Sequence, residues 1–227
     1  MKRMLDLFAG RLGWSKAFLA RGWEVTAVDL VEPPEIPAGV TFINADVMDV
    51  EYSRELGEWI LVDDLSEGYQ RLGKFDFGAG SSPCEEFAVW GMRHFHPNPQ
   101  FPEGGVRLFN HTRCQFEKSG IPYVMENVRA ARQFVGPSEH RCGPFHIWGK
   151  GVPPLMPQGI TKGFGAWDRK YILTTGSSKS KRRKELKAKW AEIPPELANC
   201  VAEYAEWLVD HKASAGAIAG SSGHSDG

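Results

Sequence analysis

The stretch RMLDLFAGRLGWSKAFLARGWEVTAVDL, residues 3–30, is the most informative part of the sequence about the fold. Residues 3–9 are an apolar run of strand length that ends at Gly10, and residues 14–21 have the apolar spacing of a helix. Residues 24–30 are a second apolar run, which ends in an acid. A strand, a glycine turn, a helix and another strand in this order predict a β-α-β unit with two parallel strands.

The same alternation continues along the first two thirds of the chain. Three further segments are predicted strands: TFINADV (41–47), KFDFGAGSS (74–82) and IPYVMENV (121–128). A helix is predicted over residues 105–119. We therefore predict an α/β fold with a doubly wound, mostly parallel sheet. Ligands of such sheets bind beyond the carboxyl ends of the strands, so functional residues are expected at the strand exits.

The chain divides into a core and three shorter parts. The predicted α/β core covers residues 1–150, and a loop region rich in glycine and proline covers 151–178. A basic segment with a final helix covers 179–212. The small and polar residues 213–227 are predicted to be a disordered tail.

Composition is ordinary for a globular protein, with 42% hydrophobic and 24% charged residues among 227 and a net charge of -1. No apolar run approaches the length of a membrane span, and the N-terminus has no apolar signal-peptide region. The four cysteines form no C-x-x-C pair, which argues against a disulfide framework and a metal site. We expect a cytoplasmic monomer without membrane contact.

Small or polar residues stand at every predicted strand exit: Gly10, Asp29, Asp46, Pro83–Cys84 and Glu126–Asn127. Because the carboxyl ends of parallel strands meet at one edge of the sheet, these features are expected along one rim. Their coincidence predicts a ligand site there.

The segment Asp6–Gly13 places glycines at a turn between strand and helix, where the backbone can approach a ligand closely. Asp29 is placed to accept hydrogen bonds from ribose hydroxyls. The alternative is a tight turn with a capping acid. Asp46 also has two interpretations, as an acceptor for an adenine amino group or as a cap. The spacing Gly10-x-x-Gly13 departs from G-x-G-x-x-G, which argues against a dinucleotide site.

Cys84 follows Pro83, which fixes the backbone just before the thiol. A thiol held at a loop or helix start, near free N–H groups, can act as a thiolate nucleophile, whereas a lone cysteine is more often a buried structural residue. Glu126 ends an apolar strand, where a carboxylate needs a partner or a function. It could contact a base edge and deliver a proton, or be neutralised by Arg129 or Arg141.

Basic residues cluster between Lys179 and Lys189, a stretch that contains one acid, Glu185. They could bind phosphates independently of nucleotide sequence, or form a solvated helix face. Since the net charge of the chain is close to zero, any contact with nucleic acid is expected to be local.

Together these segments resemble the cytosine-C5 DNA methyltransferase family, and more closely its compact phage-type members. The resemblance covers roughly residues 4–150. The segments that carry it follow the family's order: DLFAGRLGWSKAF (6–18), Asp29, Asp46, SPCEEFAVWG (82–91), YVMENVRAAR (123–132) and CGPFHIWG (142–149). The combination of Pro-Cys with a later Glu-Asn-Val, after a glycine turn, is its most specific part.

The resemblance implies a DNA (cytosine-5-)-methyltransferase that uses S-adenosylmethionine. The residues that would bind S-adenosylmethionine are Asp6, Leu7, Phe8, Ala9, Gly10, Leu12, Gly13, Trp14, Asp29, Leu30, Asp46, Val47, Ser82 and Pro83. The catalytic residues would be Cys84, Glu126, Asn127 and Arg141. The contacts to duplex DNA would come from Glu85, Arg129, Lys181, Arg182 and Arg183.

The implied mechanism begins with a cytosine that is flipped out of the duplex. Cys84 attacks C6, and Glu126 stabilises positive charge at N3, so that C5 becomes nucleophilic enough to take the methyl group. Loss of the C5 proton then releases the enzyme. Asn127 would brace the Pro83–Cys84 loop.

The chain departs from the family at several points. Leu12 and Glu85 stand where the family usually has glycine and glutamine, and Arg141 is the nearest substitute for its Gln-x-Arg-x-Arg motif. The late Gly-Asn-Ser-Val motif is missing, and the region of target recognition, 151–178, is very short. Three alternatives stay open: binding of S-adenosylmethionine and DNA without activity, the same chemistry on RNA or a free nucleotide, and transfer of a modified group.

Overall fold

A computed structural model of the chain describes residues 1–63, 68–92, 96–161, 174 and 180–221. The strands are β1 (Arg3–Leu7), β2 (Glu24–Asp29), β3 (Val40–Asn44), β4 (Val50–Ser53), β5 (Glu58–Asp63), β6 (Gly68–Gly73), β7 (Phe77–Gly80), β8 (Tyr123–Asn127), β9 (His140–Cys142) and β10 (Phe145–Trp148). The helices are α1 (Gly13–Leu19), α2 (Glu85–Gly91), α3 (Glu103–Ser119), α4 (Arg132–Val135), α5 (Lys181–Ala191) and α6 (Pro195–Ser221).

The main sheet has seven strands in the order β3-β2-β1-β7-β8-β10-β9. Neighbours from β3 to β8 pair in parallel, whereas β10 pairs antiparallel with both β8 and β9. The predicted α/β fold with a mostly parallel sheet is therefore confirmed. From β1 the chain proceeds outward through β2 to β3, and then returns to the other side of β1 with β7. The gap between β1 and β7 is thus a topological switch point, where open α/β sheets bind ligands.

The two faces of the sheet bury separate apolar cores. Helices α1 and α6 cover one face, where Phe18 and Leu197 pack with Met4 and Phe77 of the strands. On the other face, α3 packs on strand residues such as Leu5. Alternate residues of β1 and β7 face the two cores, as the pleat of a strand requires.

Strands β4, β5 and β6, within residues 50–63 and 68–73, form a feature that the sequence did not predict, an antiparallel sheet in the order β4-β5-β6. It packs against α3, where the ring of Trp59 lies 5.5 Å from that of Phe116. The Tyr52 N–H donates to Gln115 Oε1 at 3.0 Å, which fixes the same contact. Residues 59–62, an apolar run of aromatic and aliphatic side chains, are a local strand signal for β5 that the prediction missed.

The end of the chain differs from the prediction, because α6 continues to Ser221 instead of ending near 212. Residues 213–221 are thus helical and not part of a disordered tail. This stretch is rich in alanine, the best helix former, and it continues a helix that is already anchored on the core. Residues 222–227 and, except for residue 174, 162–179 lie outside the described part of the chain. Among the described residues, a helix with the length and apolarity of a membrane span is absent.

Candidate functional site

The loops that follow β1 and β7 meet at the switch point. The Ser81 N–H donates to the Leu7 carbonyl at 3.2 Å, and the indole of Trp14 donates to Ser81 Oγ at 3.0 Å. Trp14 is the second residue of α1, so one indole joins the start of this helix to the exit of β7. The segment after β1 and the segment that leads to Cys84 are thus in direct contact.

The turn after β1 is strained. Phe8 and Leu12 have φ angles of 58° and 61°, and within the described residues they are the non-glycine positions with positive φ. L-residues avoid this region, and strain of this kind concentrates at ligand sites. The leucine side chain is fully buried beside Ala9 and Ala27, so burial offsets the strain.

Gly10 and Gly13 have different roles. Gly10 is exposed, and a Cβ atom added to it would meet only the Phe8 carbonyl, at 3.9 Å, which leaves room for a ligand. A Cβ on Gly13 would lie 2.9 Å from the Ile193 Cβ and 3.0 Å from its nitrogen. Gly13 is therefore required for packing of α1 against the chain that leads into α6.

Asp29 braces this turn. Its Oδ2 accepts the Gly10 N–H and its Oδ1 accepts the Val31 N–H, both at 2.9 Å. This geometry is that of the capping alternative, yet each carboxylate oxygen retains a second acceptor position for a hydroxyl group. Leu30 and Val31 beside it are 64% and 71% exposed, so the rim presents apolar surface that a bound ligand would cover.

Asp6 lies beneath the turn and is fully buried. Its Oδ2 accepts hydrogen bonds from the Ser15 hydroxyl at 2.6 Å and the Ser15 N–H at 3.2 Å, while Oδ1 has no partner among the described residues. Burial raises the pKa of Asp6 to about 7, against the opposing effect of the Ser15 hydrogen bonds. The free oxygen can accept one more donor from a ligand.

Asp46 caps a short 3-10 helix, Val47–Asp49, by accepting the Met48 N–H at 2.9 Å. The capping interpretation of this residue is thus observed. The side chain of Val47 is 2% exposed and belongs to the core under the sheet, so it is not available to a ligand.

The loop that carries Cys84 is held by Asn127. The Asn127 amide donates to the Ser82 carbonyl at 3.0 Å and to Ser82 Oγ at 3.1 Å. Both residues are buried, whereas Pro83 is exposed and Cys84 is half-buried immediately before α2. Cys84 is therefore not a fully buried structural cysteine.

Glu126 lies at the exit of β8, beside the exit of β7. Gly80 and Met125 are paired in the parallel register, so the chains that lead to Cys84 and Glu126 leave the sheet side by side. Glu126 is 8% exposed. A carboxylate that is nearly buried at a strand exit is expensive unless it serves a partner or a ligand.

Arg141 lies farther along the sheet, on the edge strand β9. It is opposite His146 of β10, which in turn is opposite Asn127 of β8. Its Nε donates to the Gly143 carbonyl at 2.7 Å, and the residue is exposed. The structure therefore places Arg141 in the same row as Asn127, with one strand between them.

The residues that the resemblance assigns to DNA contact lie in two regions. Glu85 and Arg129 are exposed near the Cys84 loop, and Lys181 and Arg182 are exposed at the start of α5. Arg183 is partly buried, with its guanidinium 5.0 Å from the Trp190 ring centroid, so it stabilises α5 instead of pointing fully to solvent.

No protein-family model matches this chain, and no curated protein does either.

Two residues near the site were missed by sequence reasoning. Ser81 receives the Trp14 hydrogen bond described above, and His146 is 3% exposed, with Nδ1 3.0 Å from Ser138 Oγ. Burial, and to a smaller extent the positive charges of Arg132, Arg141 and Arg129, lowers the pKa of His146 to about 4. The alternation of apolar and polar residues in the segment Phe145–Trp148 predicts a histidine that faces solvent, so the sequence carried no signal that His146 is buried.

The arrangement brings together most of the predicted site. Gly10, Asp29, Cys84 and Glu126 all stand at the carboxyl edge of neighbouring strands, around the switch point. A nucleophile and a carboxylate on adjacent strand exits, beside a strained turn with room for a ligand, can support attack on a bound electrophile. The described residues contain no cluster of His, Cys, Asp and Glu that could hold a metal ion.

Proposed function

We propose that the chain transfers a methyl group from S-adenosylmethionine to carbon 5 of cytosine in duplex DNA, with Cys84 as the nucleophile. One observation carries this proposal: the buried amide of Asn127 donates to both Ser82 oxygens, next to Cys84. The two most specific motifs of the sequence are far apart in the chain, and this contact joins them in space. Such coupling is expected if Cys84 and Glu126 act on one base.

The turn after β1 supports the choice of donor. The turn suits a ligand with hydroxyls and an apolar ring. There is open space over Gly10, and Asp29 has spare acceptor positions for hydroxyls. Leu30 and Val31 expose apolar side chains that a ring would cover. The partnerless Asp6 oxygen offers one further acceptor. S-adenosylmethionine supplies an electrophilic methyl group to such a site. Asp46 would add an acceptor for its adenine through the oxygen that does not cap the 3-10 helix.

The chemistry of the cytosine is performed by the residues of the chain. The Cys84 sulfur forms a bond to C6, which makes C5 electron-rich, and Glu126 stabilises the charge that develops at N3. Asn127 keeps the Cys84 loop in position, because its amide is itself fixed by accepting the Val128 N–H at 2.8 Å. S-adenosylmethionine would supply the methyl group that C5 takes. Removal of the C5 proton by a base then expels the Cys84 sulfur from C6 and restores the aromatic ring.

The first test is methyl transfer by the purified full chain to duplex DNA, with labelled S-adenosylmethionine. We expect Cys84→Ser to reduce transfer to background, while Cys114→Ser, an exposed cysteine of α3, retains the wild-type rate. Thermal unfolding of both variants controls for folding. Full transfer by Cys84→Ser would exclude this mechanism.

A duplex with 5-fluorocytosine tests the covalent step. Fluorine at C5 leaves no proton to remove, so the C6–S bond should persist and the protein should stay attached to DNA under denaturing conditions. The adduct should require both S-adenosylmethionine and Cys84. Base-resolution sequencing of DNA from expressing cells would then report the modified site.

A further inference from the structure

We propose that Ser81 is a positioning residue for Cys84. Its hydrogen bond from Trp14 ties the loop Ser81–Cys84 to the start of α1, so that a ligand bound on the turn after β1 sets the position of the thiol. This inference rests on the proposed function and adds how binding of the donor is linked to the nucleophile. Ser81 itself lies outside the segments that carry the resemblance to the methyltransferase family.

The loop Ser81–Cys84 is held from both of the strands that flank β7. On the β1 side, Ser81 donates its N–H to the last carbonyl of β1 at 3.2 Å, and its Oγ accepts the Trp14 indole N–H at 3.0 Å. On the β8 side, the Asn127 amide donates to the carbonyl and the Oγ of Ser82. Two consecutive residues are thus fixed from opposite sides, and the thiol follows two residues later.

The indole of Trp14 is a buried hydrogen-bond donor. Its side chain is 2% exposed and packs in the core between the main sheet and helices α1 and α6, so the indole N–H is directed to the loop and not to solvent. The indoles of Trp23 and Trp59 are equally buried, yet their N–H groups have no partner among the described residues. Burial of an indole therefore does not by itself supply a partner in this fold, and the bond to Ser81 is a specific feature of the switch point.

Trp14 is also joined to the turn on which the ligand is expected. It follows two residues after Leu12, which has a strained φ of 61°, and four residues after Gly10, which has open space above it. The next residue, Ser15, is fixed by Asp6 beneath the turn, through its hydroxyl at 2.6 Å and its N–H at 3.2 Å. Contiguous contacts of this kind carry coupling between sites. A ligand that orders the turn therefore acts on Trp14, and through its indole on the loop after β7.

The first test is the rate at which iodoacetamide alkylates Cys84 in the full chain without ligand, measured by peptide mass spectrometry. Trp14→Phe keeps a buried ring but removes the donor, and Ser81→Ala removes the acceptor. We expect each variant to accelerate alkylation of Cys84 about two- to tenfold, the equivalent of one hydrogen bond, because a released loop exposes the half-buried thiol more often. The exposed Cys114 is the internal reference, and its rate should not change.

Trp23→Phe is the matched control, since it makes the same change in the same apolar core at an indole without a partner among the described residues. It should leave the rate at Cys84 unchanged, and Ser81→Thr, which retains a hydroxyl, should keep the wild-type rate. The double variant Trp14→Phe/Ser81→Ala should match either single variant, because both changes remove one bond. Additive effects of the two changes, or an equal effect of Trp23→Phe, would overturn the proposal.

The link to the ligand is tested by adding S-adenosylmethionine without DNA, with binding followed by isothermal titration calorimetry. In the wild type, saturating ligand should slow alkylation of Cys84 at least about fivefold, because it fixes the turn and with it the loop. In Trp14→Phe and Ser81→Ala, the ratio of the rates with and without ligand should fall towards one. A ligand that merely shields the thiol would leave this ratio unchanged in the variants, which would contradict the link.

The same measurements separate this inference from the proposed function. If the wild type transfers methyl groups while Trp14→Phe and Ser81→Ala behave like Trp23→Phe, only the positioning role of Ser81 is wrong. If both variants release the loop but no cytosine is methylated, Ser81 still positions the Cys84 thiol and the proposed reaction is wrong. If the wild type does not bind S-adenosylmethionine, the proposed donor and its link to the loop are both wrong.

Discussion

Asp6 is a buried carboxyl group close to the strained turn. Its neighbours supply two hydrogen bonds to one oxygen and none to the other, so burial outweighs hydrogen bonding and the neutral form is favoured up to a pH of about 7. The carboxyl group therefore holds a proton in the folded state that it would release on unfolding. The free energy of unfolding therefore depends on pH through the titration of Asp6.

For Asp6→Asn we expect a changed pH dependence of unfolding. Between the ordinary pKa of 3.8 and the folded pKa of about 7, the folded wild type binds a proton that the unfolded chain has lost. Its free energy of unfolding therefore falls as pH rises through this window, by up to about 1.4 kcal/mol per pH unit. Asp6→Asn has no such titrating group, so its free energy of unfolding should increase relative to that of the wild type as pH rises.

The measurement is urea unfolding of both proteins from pH 4 to 8. His146, with a folded pKa of about 4, acts in the opposite direction, because the unfolded chain takes up its proton as pH falls below the usual 6.5. That contribution is common to both proteins and cancels in their difference. Parallel pH profiles would contradict the assignment of a raised pKa to Asp6.

Helix α1 depends on close contact with the segment between α5 and α6. Gly13 faces backbone and Cβ atoms of Ile193, which belongs to the core with Leu197. The Lys16–Glu192 ion pair, at 3.4 Å, lies along the same boundary. The glycine at the start of α1 is therefore explained by packing, whereas Gly10 remains the glycine with space for a ligand.

Gly13→Ala should destabilise the fold by about 1–3 kcal/mol, because the new methyl group overlaps a backbone that cannot move freely. Gly104→Ala is the matched control near the start of α3, where the added Cβ would meet Glu86 Oε1, the end of a flexible side chain. That control should change stability by less than about 1 kcal/mol. Urea unfolding monitored by circular dichroism compares them, and equal losses would contradict the packing explanation.

The β4–β6 sheet is attached to the core through Trp59. This side chain is 1% exposed, and its ring contacts Tyr52 at 5.9 Å and Phe116 at 5.5 Å between centroids. The His111 ring, with Nε2 3.1 Å from the Val50 carbonyl, adds a polar contact to α3. The sheet is thus part of the same apolar core as α3.

Trp59→Ala should lower the free energy of unfolding by about 3–5 kcal/mol, since it leaves a cavity between this sheet and α3. Trp207, half-exposed on α6, provides the control, and Trp207→Ala should cost less than about 1 kcal/mol. Differential scanning calorimetry would compare the two variants. A small effect at Trp59 would mean that the β4–β6 sheet is not part of the cooperative core.

Across the whole molecule, charge is unevenly distributed despite a net charge of -1. Residues 50–73 contain six acidic and two basic residues, so this sheet would repel a nucleic-acid backbone. The exposed Lys181 and Arg182 of α5, and the exposed Arg129 near the Cys84 loop, offer positive charge to it. We therefore expect DNA to lie at the carboxyl edge of the main sheet and away from the β4–β6 sheet.

Much of the main sheet could be predicted from the sequence. The strands β1, β2, β3, β7 and β8 were predicted at their observed places, apart from shifts at the ends, because their apolar periodicity and glycine boundaries are local signals. The first strand ends at Leu7 instead of residue 9, since the left-handed Phe8 interrupts it. The antiparallel β4–β6 sheet was missed: the apolar run 59–62 indicates a strand locally, but its pairing with β4 and β6 and its packing on α3 are contacts that no single segment contains.

The candidate site, like the fold, could be predicted from the sequence only in part. The amino-acid sequence was enough to predict that Gly10, Asp29, Cys84 and Glu126 stand at strand exits, since position along a strand is a local property. Which exits are neighbours, that Gly13 serves packing and that Asn127 holds Ser82 became known from the fold. These facts depend on strand order and on contacts between distant residues, which the periodicity of a single sequence does not contain.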